Sequence, residues 1–288
     1  MSVTRHNPEL VSAVVQISAV AYGSPRATDE LYIHNVATEL PDIPPDLLDD
    51  GIEALSGAGL LRRRIEGRLS LNATGKVAHE EGCVSELVFG EAYVLEKYSH
   101  AVVHVIVKTP GGDERGGTGF IIAEPDWAIV TAKHVVENNE LLRIVKRDGA
   151  EVCMAGAEIL LAPQGIDLAA VVTNVPRDVA PMRIEWRDQG AVDSEPVTVL
   201  GYPPIAGHEP ALIPVNAEAT VGVPTYGRQR KSLVLQRLTT PGFSGGPVVD
   251  RRGMVIGIVR EEGASDVGQG PGVFVFGTPA HYIAEFLV

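Results

Sequence analysis

Three short segments put a base, an acid and a hydroxyl into one chain. Thr131-Ala132-Lys133-His134-Val135-Val136 follows an apolar run. Gly165-Ile166-Asp167-Leu168-Ala169 leads into one, as does Pro241-Gly242-Phe243-Ser244-Gly245-Gly246-Pro247. Singly, each is commonplace. A lone histidine is usually a surface or core residue, an aspartate before a strand usually belongs to a turn, and a glycine-rich loop usually just reverses the chain. Together they meet the needs of nucleophilic catalysis. A serine hydroxyl attacks poorly at neutral pH and needs an adjacent base. Histidine takes that proton near pH 7 and returns it to a leaving amine. A carboxylate holds the other ring nitrogen in the right tautomer and stabilises the imidazolium. The oxygen that becomes negative needs backbone N–H donors, and Gly242 permits the tight turn that presents them. Glu137, Asp148 and Asp126 compete with Asp167 for the orienting role. Glu137 lies too near His134 along the chain, Asp148 sits in an Asp-Gly turn, and Asp126 sits in a Pro-Asp turn.

The elements that must position these residues change character near residue 82. Before it the pattern is helical. One helix spans 9–22 and ends at Gly23-Ser24-Pro25, because glycine suits a C-cap and proline cannot continue a helix. A second begins at Thr28 or Asp29 and runs to about Leu40. A third starts at Pro45 or Asp46, with Leu47, Leu48, Ile52 and Leu55 on one face. Residues 60–65 and 68–71 form a hairpin around Glu66-Gly67, and Thr74 caps a short last helix. After residue 98 short apolar runs follow one another, at 101–107, 119–122, 129–131, 142–145, 168–172, 197–200, 233–235, 255–259 and 273–276. Many short strands with turn signals predict an all-β sandwich or barrel, closed by a helix at 280–287.

Composition narrows the function classes. The 288 residues suit two domains. With 37 acidic and 24 basic residues the net charge is −13, which disfavours general binding to polyanions such as nucleic acid or anionic membrane. No apolar run approaches the ~18 residues of a membrane span. The stretch 10–22 is apolar behind Arg5, but Glu9 and Gln16 spoil a signal-peptide layout, and a buried helix explains it better. Two cysteines, Cys83 and Cys153, exclude a disulfide-dense scaffold and a four-cysteine zinc site. No ligand constellation for a metal and no cofactor motif is present. The expected location is the cytoplasm, with both thiols reduced.

The motifs of the second half resemble those of trypsin-like serine peptidases, closest in style to bacterial HtrA-like proteases. Gly117-Thr118-Gly119-Phe120-Ile121-Ile122 is similar to their GSGFII strand, and the histidine, aspartate and PGxSGGPV segments match in order. Val199-Leu200-Gly201-Tyr202-Pro203 matches the strand and turn that usually intervene. The resemblance implies a chymotrypsin-like all-β double barrel, six strands each, with a polypeptide substrate and no cofactor or metal. It implies His134 as general base, Asp167 as its orienting partner, Ser244 as nucleophile, and Gly242 and Ser244 as oxyanion donors. Leu238, six residues before the nucleophile, implies an apolar floor to the specificity pocket. Val259, Arg260 and Glu261 belong to the stretch expected to contact substrate. Phe243 stands where zymogen-activated members carry an acid that pairs with a newly cut terminus, so that switch is unavailable here.

The run 49–82 resembles the third helix and wing of winged-helix domains. The expected organisation is therefore a small α+β winged-helix-like domain at 1–82, a linker at 83–97 and the peptidase domain at 98–288. Residues 1–82 contain 7 Lys or Arg and 12 Asp or Glu, a net −5. Asp46, Asp49, Asp50 and Glu53 on the expected recognition helix would repel phosphates, although Arg62, Arg63, Arg64 and Arg68 line the wing. A protein-docking or regulatory role is thus expected ahead of DNA binding. A DNA-reading regulator with a peptidase effector, and a catalytically silent scaffold, are the alternatives to an active endopeptidase.

Overall fold

The computed structural model describes residues 6–23, 30–186, 194–224, 231–236, 241–260 and 274–287. The chain divides into two compact units, Met1–Glu96 and Lys97–Val288.

The first unit runs α1 (Pro8–Tyr22), β1 (Glu30–Tyr32), α2 (Ile33–Glu39), α3 (Pro45–Gly57), β2 (Leu61–Arg63), β3 (Arg68–Leu71), α4 (Ala73–Glu80) and most of α5 (Val84–Tyr98). Asn7 caps α1, accepting the Glu9 N–H at 3.0 Å. The apolar stretch at 10–22 is the core-facing stripe of α1: Ala13, Val14, Ile17 and Ala21 are buried with Leu48, Ile52 and Leu55 of α3. The two helices approach closely, since a Cβ on Gly51 would lie 2.6 Å from Ile17 Cδ1. Three details depart from the sequence expectation. Leu31 and Tyr32 pair with Leu69 and Arg68 as a third strand, so the second helix starts only at Ile33; Thr28 and Asp29 lie outside the described residues. Asn72, not Thr74, caps α4, accepting the Gly75 N–H at 2.7 Å. The stretch expected as a linker is largely helical, α5 with a break at Gly90 (φ +70°), and Val84, Leu87, Val88 and Phe89 pack on the first core.

The second unit is almost entirely antiparallel β. Its first sheet comprises β4 (Val102–Lys108), β5 (Glu114–Ile122), β6 (Ala128–Thr131), β7 (Glu140–Lys146), β8 (Glu158–Leu161) and β9 (Ala169–Val172), in the order β7-β4-β5-β6-β9-β8. The helix α6 (Lys133–Val136) interrupts it. The second sheet holds β10 (Arg183–Ile184), β11 (Glu195–Gly201), β12 (Ile213–Pro224), β13 (Lys231–Gln236), β14 (Pro247–Val249), β15 (Met254–Val259) and β16 (Phe274–Pro279). Its order is β10-β15-β14-β11-β12-β13-β16, and β15 also pairs with β16. Six of these strands therefore close into a ring, and α7 (His281–Leu287) follows. Two closed barrels were expected, but only the second closes by backbone pairing among the described residues. The outer strands of the first sheet, β7 and β8, are mostly solvent-facing edges. This is a chymotrypsin-like β-barrel fold with one closed barrel and one half-barrel. β-Branched residues supply both interiors, Val102, Val103, Val105 and Ile129 in the first and Val197, Val199, Val248 and Ile256 in the second.

Ile52 is fully buried between α1 and the β2–β3 hairpin. Ile52→Ala should lower the stability of the first unit by about 2–5 kcal/mol, read as a shifted denaturant midpoint. A loss below about 0.5 kcal/mol would mean that this core is not packed as described.

Candidate active site

Strand pairing carries two of the three chemical side chains to one place. β6 and β9 are neighbours with Thr131 opposite Ala169, so the residues after β6 and those before β9 emerge at the same end. His134 lies in α6 and Asp167 in the loop before β9. His134 Nδ1 is 2.7 Å from Asp167 Oδ2, and the His134 backbone N–H donates to Asp167 Oδ1 at 2.9 Å. One carboxylate thus holds both the ring and the backbone of the same histidine. Lys133 braces the same corner. Its Nζ donates to the Ala162 carbonyl at 3.0 Å and lies 3.4 Å from Glu137. Of the competing acids, Glu137 pairs with Lys133, and Asp148 accepts the Ala150 N–H within its turn.

Asp167 is only 16% exposed. Burial alone would push its carboxyl up. The hydrogen bond and charge of the His134 ring, the His134 N–H and the Arg260 guanidinium outweigh burial and hold it below the ordinary carboxylate value. Arg260 Nε lies 3.9 Å from Asp167 Oδ2, and the Thr278 hydroxyl donates to the Asp167 carbonyl at 3.4 Å.

Ser244 sits on a loop that only glycines can trace. Gly242 has φ +92° and Gly245 φ +83°, both in the left-handed region. A Cβ on Gly242 would collide with the Tyr202 carbonyl and Pro203, and one on Gly245 with the Thr118 carbonyl and Thr131 hydroxyl. The loop is pinned from several sides. The Thr118 N–H donates to the Ser244 carbonyl at 2.8 Å, the Gly245 N–H to Val259 O at 2.8 Å, and the Gly246 N–H to Phe243 O at 2.8 Å. Phe243 is 2% exposed within the second barrel's core, against the bare backbone of Gly201. Among the described residues, neither the Gly242 N–H nor the Ser244 N–H has a protein acceptor. These two donors are available to an oxygen that becomes negative.

The histidine helix and the nucleophile loop meet over Gly117 of β5. A Cβ there would lie 2.8 Å from Val135 and 3.3 Å from the Ser244 carbonyl. Among the described residues no hydrogen bond joins His134 Nε2 to Ser244 Oγ. Thr118 matters beyond its motif. Its hydroxyl, fully buried, donates to the Gly242 carbonyl at 2.6 Å and accepts the Tyr202 N–H at 3.0 Å. A threonine between two glycines, followed by the apolar run Phe120-Ile121-Ile122, was the available signal. The candidate substrate contacts fare differently. The Val259 side chain is 2% exposed in the core, and its backbone N–H and carbonyl are engaged by Gly246 and Gly245. Arg260 faces Asp167. Leu238 and Glu261 lie outside the described residues. Among the described residues no cluster of three or more His, Cys, Asp or Glu could hold a metal ion.

Because the folded-state carboxyl of Asp167 titrates below its ordinary value, its contribution to stability is present above about pH 4 and is lost as pH falls through the lowered folded value. Denaturant midpoints of wild type and Asp167→Asn should therefore differ most near neutral pH and converge in acid. A gap that stays constant down to pH 2 would contradict this.

Residues 117–258 match the family model of the trypsin-like peptidase domain. Serine protease HTRA1 of Xenopus tropicalis is 28% identical over 186 residues, covering 58% of this chain and 37% of that protein. Serine protease HTRA1A of Danio rerio is 27% identical over 212 residues, covering 68% of this chain and 40% of that protein. The chain thus spans well under half the length of these relatives. The solved structure titled "HtrA-type protease AlgW with tripeptide" superposes with a TM-score of 0.52 at 18% identity, covering 68% of this chain and 62% of that one. Its likeness bears on the fold. Residues 117–258 are thus similar to trypsin-like peptidase domains, and part of the chain is similar to HtrA-type serine proteases.

Proposed function

We propose that the second unit hydrolyses peptide bonds of polypeptide substrates through an acyl-enzyme on Ser244. The observation that carries this reading is the two-point hold of Asp167 on His134, at 2.7 and 2.9 Å. It leaves Nε2 as the ring nitrogen that takes a proton. In the substrate complex Nε2 comes within reach of Ser244 Oγ, a contact that commonly tightens only on binding. Oγ attacks the carbonyl carbon as its proton moves to Nε2. The oxyanion forms against the N–H groups of Gly242 and Ser244. The C–N bond then breaks, the leaving amine takes the proton from His134, and water repeats the sequence to free the acid. The loop is held from within by Phe243 burial and the Thr118 hydroxyl, which supports activity without prior cleavage of the chain.

The first unit is read as a winged-helix-like regulatory or docking domain that binds protein. Its order of helix, strand, two helices and hairpin, with β1 beside β3, supports that reading. Charge favours a protein partner over DNA. Arg63 of the wing is paired with Asp49 at 2.8 Å and Glu53 at 2.9 Å of α3, so the helix that would enter a groove is acidic and partly neutralises the wing. A cytoplasmic location is proposed from cysteine usage, since Cys83 is buried, Cys153 is exposed and they form no disulfide.

A fluorophosphonate probe and a peptide-hydrolysis assay test the chemistry. Wild type should be labelled at Ser244 without proteolytic processing. Ser244→Ala should abolish labelling, and His134→Ala should cut kcat/KM by roughly 10⁴-fold or more. Labelling that persists in Ser244→Ala, or none in the intact chain with or without protein partners, would refute the assignment. Residues 1–96 should show no salt-dependent affinity for duplex DNA; a steep salt slope would reverse the reading of the first unit.

A further inference from the structure

The orienting carboxylate faces the Arg260 guanidinium as well as the His134 ring. Asp167 Oδ2 is met by the His134 ring at 2.7 Å and by Arg260 Nε at 3.9 Å, while Oδ1 is taken by the His134 N–H. At 3.9 Å Arg260 is beyond hydrogen-bond range and acts through charge. Its position is set by the fold. The Arg260 N–H donates to the Phe276 carbonyl of β16 at 2.8 Å, directly after β15. Among the described residues, the other groups near the pair do not offset it. Lys133 and Glu137 on α6 are paired with each other at 3.4 Å. From β16 Thr278 offers only a neutral hydroxyl.

Resting on the catalytic reading above, we propose that Arg260 is a positioning residue that tunes the histidine–aspartate pair, setting the acid side of the enzyme's pH profile. A fixed cation beside the carboxylate makes a second positive charge on the neighbouring imidazole less favourable. The base therefore stays neutral, and competent, into more acidic solution than a pair without Arg260. The same charge contributes to holding the Asp167 carboxyl below its ordinary value. Arg260 is 36% exposed on its side chain. Solvent and salt therefore weaken its influence without abolishing it.

The test compares wild type, Arg260→Gln and Arg260→Lys in the full chain. Two readouts are used at low salt: kcat/KM against pH for a neutral peptide, and NMR titration of the imidazole at position 134. In Arg260→Gln both transitions should move to higher pH by roughly half a unit or more. Arg260→Lys should restore part of the wild-type position, and high salt should shrink the difference. An acid limb and imidazole titration that coincide in wild type and Arg260→Gln would overturn the proposal. So would a Gln variant that changes only the ranking of acidic against neutral substrates, which would make Arg260 a substrate reader. If NMR shows the shift while no variant hydrolyses anything, the tuning stands and the peptidase reading falls.

Discussion

A single part-buried carboxylate that grips one histidine twice is the constraint on which the proposed chemistry depends. Asp167 accepts from both the ring and the backbone of His134, so it fixes the side chain's tautomer and the start of α6 together. The arrangement needs β6 and β9 to be neighbours in register, because only then do 134 and 167 leave the sheet at the same end. Lys133 and Thr278 reinforce the corner from either side. A buried anion is costly unless it is paired and hydrogen-bonded. Here the partners more than offset burial and hold the Asp167 carboxyl below its ordinary value.

The nucleophile loop is ordered by a different kind of force. Its backbone passes so close to Tyr202, Pro203, Thr118 and Thr131 that side chains at 242 and 245 would not fit. Phe243 drives its ring into the closed barrel, and Thr118 ties the Gly242 carbonyl to the turn at Tyr202. Among the described residues no protein acceptor takes the Gly242 or Ser244 N–H. Such preorganised donors need not rearrange when charge develops, which is the usual source of the largest catalytic term. Apolar burial at 243 takes the place that an ion pair to a new terminus fills in zymogen-activated peptidases of the resembled family.

Much of this was legible in the sequence because catalysis demands rare residue types in rigid contexts. His134, Asp167, Gly242 and Ser244 each stood beside a β-rich run, and the structure puts His134 Nδ1 against Asp167 Oδ2. What was not legible depended on distant partners. β12 was missed because its inward positions include the small residues Ala217 and Ala219, and a weak alternation of alanine with polar residues reads as loop. β1 was taken as helix because its pairing with β3, across more than thirty residues, overrides local preference. Val259 was expected to meet substrate, yet its backbone is bonded to the loop's own Gly245 and Gly246. Arg260's approach to Asp167 joins residues 93 positions apart and left no local trace. The helical character of 84–98 was missed for a related reason. α5 is short of strong apolar periodicity, and its packing on the first core becomes visible only in three dimensions.

The most direct test of the central claim is a crystal structure of the chain after reaction with a peptidyl phosphonate. The account predicts a covalent bond from Ser244 Oγ to phosphorus, one phosphoryl oxygen within hydrogen-bond distance of the Gly242 and Ser244 N–H groups, and His134 Nε2 facing the adduct with Asp167 still on Nδ1. An adduct on another residue, or an adduct on Ser244 whose oxygen points to solvent while His134 has parted from Asp167, would contradict it.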